Sequence, residues 1–116
     1  MPTYVMLVKL TDEGEREIFD SPHRLDLLAH KWRELGGKLS SIYRTLGEYD
    51  FVGLAEAPND WCALKFDAYM AASGDVRTTT TKAYEQAEWS WLLNTGDDDI
   101  AEIGPPPGPT KKKGFE

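Results

Sequence analysis

A phenol and a carboxylate stand side by side at Tyr49-Asp50, inside the run Leu46-Gly47-Glu48-Tyr49-Asp50-Phe51-Val52. The run reads as the tip of a β-hairpin. Gly47-Glu48 suits a two-residue turn, where glycine takes a positive φ cheaply. Asp50 then opens a segment that is mostly apolar through Ala57. An acid in such a place needs partners or water. Two roles fit it: Tyr49 and Asp50 line a ligand cleft, or Asp50 braces the hairpin through backbone N–H groups. Arg77 offers a cation that holds an anionic ligand, pairs with Asp50, or forms another cross-strand salt bridge. Tyr43 is a further candidate ligand contact. It alternates with Arg44 along a strand, so at most one of the two lines any one cavity.

The two histidines, His23 and His30, are seven residues apart on one expected helix and lie on nearly the same side. His23 falls in the first turn beside Asp20 and Arg24. An imidazole there is a candidate general base, with Asp50 or Tyr49 polarising a substrate oxygen, or a haem ligand; the plainer reading is a solvent-facing helix residue. His30 reads as a surface residue. Two histidines without acids at matching spacing make no metal site. Gly36-Gly37 follows a helix and so cannot cradle a phosphate at a helix start. No Ser-His-Asp order stands out, and Cys62 has no histidine near it in sequence. No cofactor is implied by these residues.

The elements that must position these groups are legible from periodicity. Thr3 to Leu10 alternates as a strand with apolar residues on both faces, so both faces should be covered. Thr11 to Phe19 is a charged connection with room for a short helical turn. Ser21-Pro22 starts a helix, with Ser as N-cap and Pro at the first helical position. Leu25, Leu28, Ala29, Trp32 and Leu35 recur at helical spacing until Gly36-Gly37 ends it. Leu39 to Leu46 and Tyr49 to Ala57 form an antiparallel pair around the Gly47-Glu48 turn. Pro58-Asn59-Asp60 caps a second helix, with Trp61, Leu64, Ala68, Ala71 and Ala72 as its apolar stripe and Gly74 as its stop. Trp32 and Trp61 match core positions on the two helices. Asp75 to Tyr84 is a fourth strand with Val76, Thr78, Thr80, Lys82 and Tyr84 on one side. Glu85 to Leu93 suits a short third helix with Trp89, Trp91 and Leu92 as docking groups.

The chain has 116 residues, which is enough for one domain with one core. A domain over residues 1–93 is followed by an extended or disordered Pro-rich tail over residues 94–116. The Pro-rich piece Gly104 to Pro109 is a spacer or a ligand for a polyproline-reading domain. A net charge of −7 argues against nonspecific binding to nucleic acid or to an anionic membrane. The lone Cys62 excludes an internal disulfide. Without a signal peptide or a long apolar run, a cytoplasmic protein is expected.

The order β-α-β-β-α-β is the ferredoxin-like arrangement, an α+β fold with a four-stranded antiparallel sheet. Right-handed crossovers put both helices on one sheet face. The opposite face is apolar, and a twin subunit is the simplest cover for it. The third helix or the tail is the alternative cover.

Several pieces together closely resemble the GYD domain family. They are Met1-Pro2-Thr3-Tyr4-Val5 with Lys9-Leu10-Thr11, Ser21-Pro22-His23-Arg24, Gly36-Gly37-Lys38, Leu46 to Val52 with Glu56-Ala57-Pro58, and Gly74-Asp75-Val76-Arg77-Thr78. The resemblance covers about residues 1 to 86. It implies a dimeric α+β barrel, in which two ferredoxin-like units press sheet to sheet, and it implies no particular reaction. The Gly-x-Tyr-Asp piece is also similar to a hairpin in the effector-binding domain of leucine-responsive-type regulators, near an interface that holds small effectors. The expected function is therefore a homodimer that binds a small molecule near the Gly47–Asp50 hairpin. One alternative is a cofactor-independent oxygenase or isomerase acting on an aromatic or polyketide-like substrate, with His23 as base. Another is a haem-handling protein.

Overall fold

Alternation of apolar side chains places Tyr4, Met6 and Val8 on one side of the first strand, and all three are buried there. The computed structural model describes residues 1–100, apart from the side chains of residues 20 and 21. The Pro-rich piece expected between Gly104 and Pro109 lies outside the described residues. The chain divides into two compact units, residues 1–83 and the part that begins at Tyr84.

In the first unit the strands are β1 (Thr3–Leu10), β2 (Lys38–Arg44), β3 (Phe51–Glu56) and β4 (Val76–Ala83). The helices are α1 (Asp12–Arg16), α2 (Ser21–Glu34) and α3 (Asp60–Ser73), with a 3-10 turn over Ile18–Asp20 before α2. The sheet order is β2-β3-β1-β4 with every neighbouring pair antiparallel. This is the ferredoxin-like order expected from the sequence. The charged connection after β1 carries a true helical turn. Thr11 caps α1 by accepting the Gly14 amide at 3.2 Å, and its own hydroxyl donates to the Gly74 carbonyl at 2.8 Å.

The hairpin differs from the expected two-residue turn. β2 ends at Arg44 and β3 begins at Phe51, and the Thr45 amide donates to the Asp50 carbonyl at 2.9 Å. Leu46, Gly47, Glu48 and Tyr49 form the loop inside that bond. Gly47 does take a positive φ, +119°, which a side chain would resist. The Thr45 hydroxyl holds the loop's end by donating to the Tyr49 carbonyl at 2.6 Å. A bulge between Leu39 and Ser41 shifts the β2 register, so that Leu39 and Ile42 both reach the core side.

The core lies between one sheet face and the two long helices. Trp32 of α2 is 1% exposed and meets Phe66 of α3 edge-on, ring centres 4.5 Å apart. Its indole N–H donates to the Glu56 carbonyl at 2.7 Å, so the buried polar end is satisfied. Gly37 passes close to this bond. A Cβ there would come within 2.4 Å of the indole nitrogen.

The α3 stripe corrects the sequence reading. Trp61 is 77% exposed and Leu64 60% exposed, with Ala68, Ala71 and Ala72 also outside. The buried face is instead Ala63, Phe66 and Met70. Asn59 caps this helix, its side chain accepting the Cys62 amide at 3.1 Å, and Gly74 closes it in the left-handed region.

The second unit contains α4 (Gln86–Leu93), started by a capping box of Glu85 and Glu88, and a 3-10 turn over Asp97–Asp99. Trp89 and Leu93 are exposed on α4 and Trp91 is half-buried. No helix of the described residues is long and apolar enough to cross a membrane.

Candidate functional site

Sequence pieces far apart in the chain meet at one end of the sheet. Asp50 continues the β1–β3 ladder beyond Phe51: its amide donates to the Val8 carbonyl at 2.8 Å. Its carboxylate Oδ2 accepts the Leu10 amide at 2.8 Å, and Oδ1 faces the Arg44 guanidinium at 3.3 Å. Arg44 also donates to the Asp50 carbonyl at 2.8 Å and lies over the Phe51 ring. Both carboxylate oxygens thus have protein partners, and the side chain is 22% exposed. Arg44 rather than Arg77 supplies the cation. Beside this brace, the Thr11 amide donates to the Asp75 carbonyl at 2.9 Å. The Arg24 guanidinium bridges Glu17 and Asp75, the latter at 3.1 Å.

Beside these contacts lies a pocket of about 190 Å³ between α2, the end of α3 and the sheet. Val8, Leu25, Leu28, Ile42, Phe51 and Met70 give it an apolar wall. Arg24 and Asp75 also border it, both partly exposed, and so form its charged rim. The wall contains no acid or base, so the interior favours a group that has shed its water and makes no ionic demand.

The other sequence candidates lie outside this pocket. His23 is exposed in the first turn of α2, and its neighbour Arg24 borders the pocket where His23 does not. His30 is exposed and pairs with Glu34 at 3.0 Å, one helical turn on. Tyr49 is half-buried in the loop. Tyr43 and Arg77 lie on the sheet face turned away from α2 and α3, in register with Val52 and Lys9 respectively. That places them at different rows and on opposite edge strands, so they do not share a site. Among the described residues no group of three or more His, Cys, Asp and Glu could hold a metal ion.

Sequence reasoning left out Arg24, Asp75 and the pocket wall. Both charged residues sit inside motifs that carried the family resemblance, and the fold brings those two motifs into contact at the rim. At the far end of the sheet, Gly37 and Glu56 meet around Trp32 in the same way. There too Asp60 accepts the Tyr4 hydroxyl at 2.5 Å and faces Lys82 at 3.4 Å. The Tyr4 hydroxyl, with help from the Lys82 ammonium, holds the Asp60 carboxyl below its usual range against a smaller opposing effect of burial.

On the face turned away from α2 and α3, cross-strand rows run Tyr43–Val52–Leu7–Thr79 and Ser41–Leu54–Val5–Thr81. Their centre is apolar, with Tyr43 58% and Leu54 38% exposed.

A curated relative from Thermus thermophilus, described as a glutamine synthetase and cystathionine beta-lyase binding protein, is 32% identical over 89 residues. The match covers 76% of this chain and 94% of that protein. Among solved structures, the leucine response regulatory protein LrpA of Mycobacterium tuberculosis superposes with a TM-score of 0.55 at 19% identity. That match covers 73% of this chain and 51% of the regulator, so this chain spans about half the regulator's length and the likeness is one of fold. The family model for the GYD domain matches residues 4–93. With the fold, the converging motifs and this match in agreement, the chain belongs to the GYD domain family.

Proposed function

We propose that the chain is a binding protein without chemistry of its own, which takes a small apolar molecule into the pocket beside the Asp50 hairpin and pairs with a second copy through its apolar sheet face. The observation that carries this reading is the pocket: apolar walls, charged groups only at the rim, and a position between the first long helix and the sheet. The brace at Asp50 holds the ends of β1 and β3 together and so fixes the pocket wall at Val8 and Phe51. The catalytic alternative with His23 as base draws less support, because that imidazole is exposed and off the wall. The haem alternative meets the same difficulty.

A thermal shift with toluene as probe tests the pocket. A ligand at a hundred times its dissociation constant adds about 2.7 kcal/mol to stability. A rise in melting temperature in the native chain, absent in Leu28→Trp, is the expected result. No rise in the native chain counts against the pocket as a site.

A second reading, docking on an enzyme, is favoured by the description of the Thermus relative and by the exposed Trp61 and Leu64 on α3. The two readings are compatible: a pocket that senses a metabolite is a natural control on a surface that meets an enzyme.

A further inference from the structure

We infer that the pocket selects a small apolar molecule with a hydrogen-bond donor at its head, an alcohol or an amine, and rejects the matching carboxylate; the inference rests on the pocket being a binding site. Size sets the body of the ligand. A dry apolar cavity of about 150 Å³ takes up benzene, so one of about 190 Å³ suits a single ring with a short substituent. The wall offers no partner for a charge, and an unpaired ion inside it would be heavily penalised. The head group therefore belongs at the rim.

Among the described residues the charge at and just behind the rim is acidic on balance: Arg24 and Asp75 border the pocket, and Glu17 pairs with Arg24 from outside the lining. Arg24 is already engaged by both acids, with Nη2 on Glu17 and Nη1 on Asp75. An incoming carboxylate at Arg24 would compete with both acids and be repelled by them. Asp75 uses Oδ2 for Arg24, and a carboxylate has acceptor sites for more than one donor. A hydroxyl or ammonium at the ligand head meets that remaining capacity. The chain's net charge of −7 acts in the same direction at longer range.

The test is a matched series on the full chain at pH 7: toluene, benzyl alcohol, benzylamine and benzoate, read by calorimetric titration. The alcohol and the amine are expected to bind at least tenfold more tightly than benzoate. Asp75→Asn keeps an acceptor for Arg24 but removes the rim charge, and should narrow the gap between amine and benzoate. Leu28→Trp should abolish binding of the whole series, and Ile42→Phe serves if that variant does not fold. Benzoate binding as tightly as the alcohol, with toluene still bound, overturns the donor-head inference and leaves the pocket standing. Failure of toluene and all three head groups overturns both. Binding that survives both filled variants lies elsewhere and also overturns both.

Discussion

The Asp50 carboxylate spans from the hairpin to the Leu10 amide, forty positions earlier in the chain, while Arg44 covers its other oxygen. Removing the acid strands a backbone donor at the end of β1, and a donor left without a partner costs about 1–3 kcal/mol. Asp50→Ala is therefore expected to lower the urea unfolding midpoint by that equivalent, and Asp50→Asn, which keeps an acceptor, by less. An unchanged midpoint in Asp50→Ala would mean that the contact contributes nothing to the fold. The sequence showed that this acid needed partners. It did not show which, because the partner is fixed by the β1–β3 register rather than by anything near residue 50. Arg77 illustrates the same limit. It was a plausible mate for Asp50 by charge, yet the register sets it beside Lys9.

Helix α3 is apolar on both faces, and periodicity alone selects the wrong one. Its two candidate stripes, Trp61–Leu64–Ala68 and Ala63–Phe66–Met70, have similar spacing, and a tryptophan is the natural guess for a core residue. Only the second faces the sheet. Phe66→Ala is expected to cost about 3–5 kcal/mol. Trp61→Ala is expected to fall within about 0.5 kcal/mol of the native chain, as exposed substitutions do. Denaturant titration of the two variants side by side gives the comparison, and a large loss in Trp61→Ala would contradict the assignment of faces. Three local signals held: Asn59 caps α3, Gly74 stops it, and the Gly36-Gly37 pair ends α2 before β2, whereas Ser21, expected as an N-cap, is itself the first residue of α2. The hairpin failed at one point. Gly47-Glu48 looked sufficient for a turn, and the Thr45–Asp50 bond widened the loop around it.

At the scale of the molecule, strand order was legible because the β-α-β-β-α-β sequence of elements leaves few right-handed solutions. The pocket was not, since it exists only where α2, α3 and the sheet converge. The sheet face bearing Val5, Leu7, Val52 and Leu54 is the proposed seat of a second copy. A stable pair of this kind buries about 800 Å² on each partner, and a charge at its centre should prevent it. Sedimentation of the native chain is expected to give a dimer and that of Leu54→Lys a monomer, while a monomeric native chain would refute the pairing. Finally, Trp32 is sealed inside with its nitrogen bound, whereas Trp61 and Trp89 meet water. The chain thus carries its own optical gauge: blue emission shielded from aqueous quenchers reports closure of helices onto sheet, and the accessible red component reports what touches the outside.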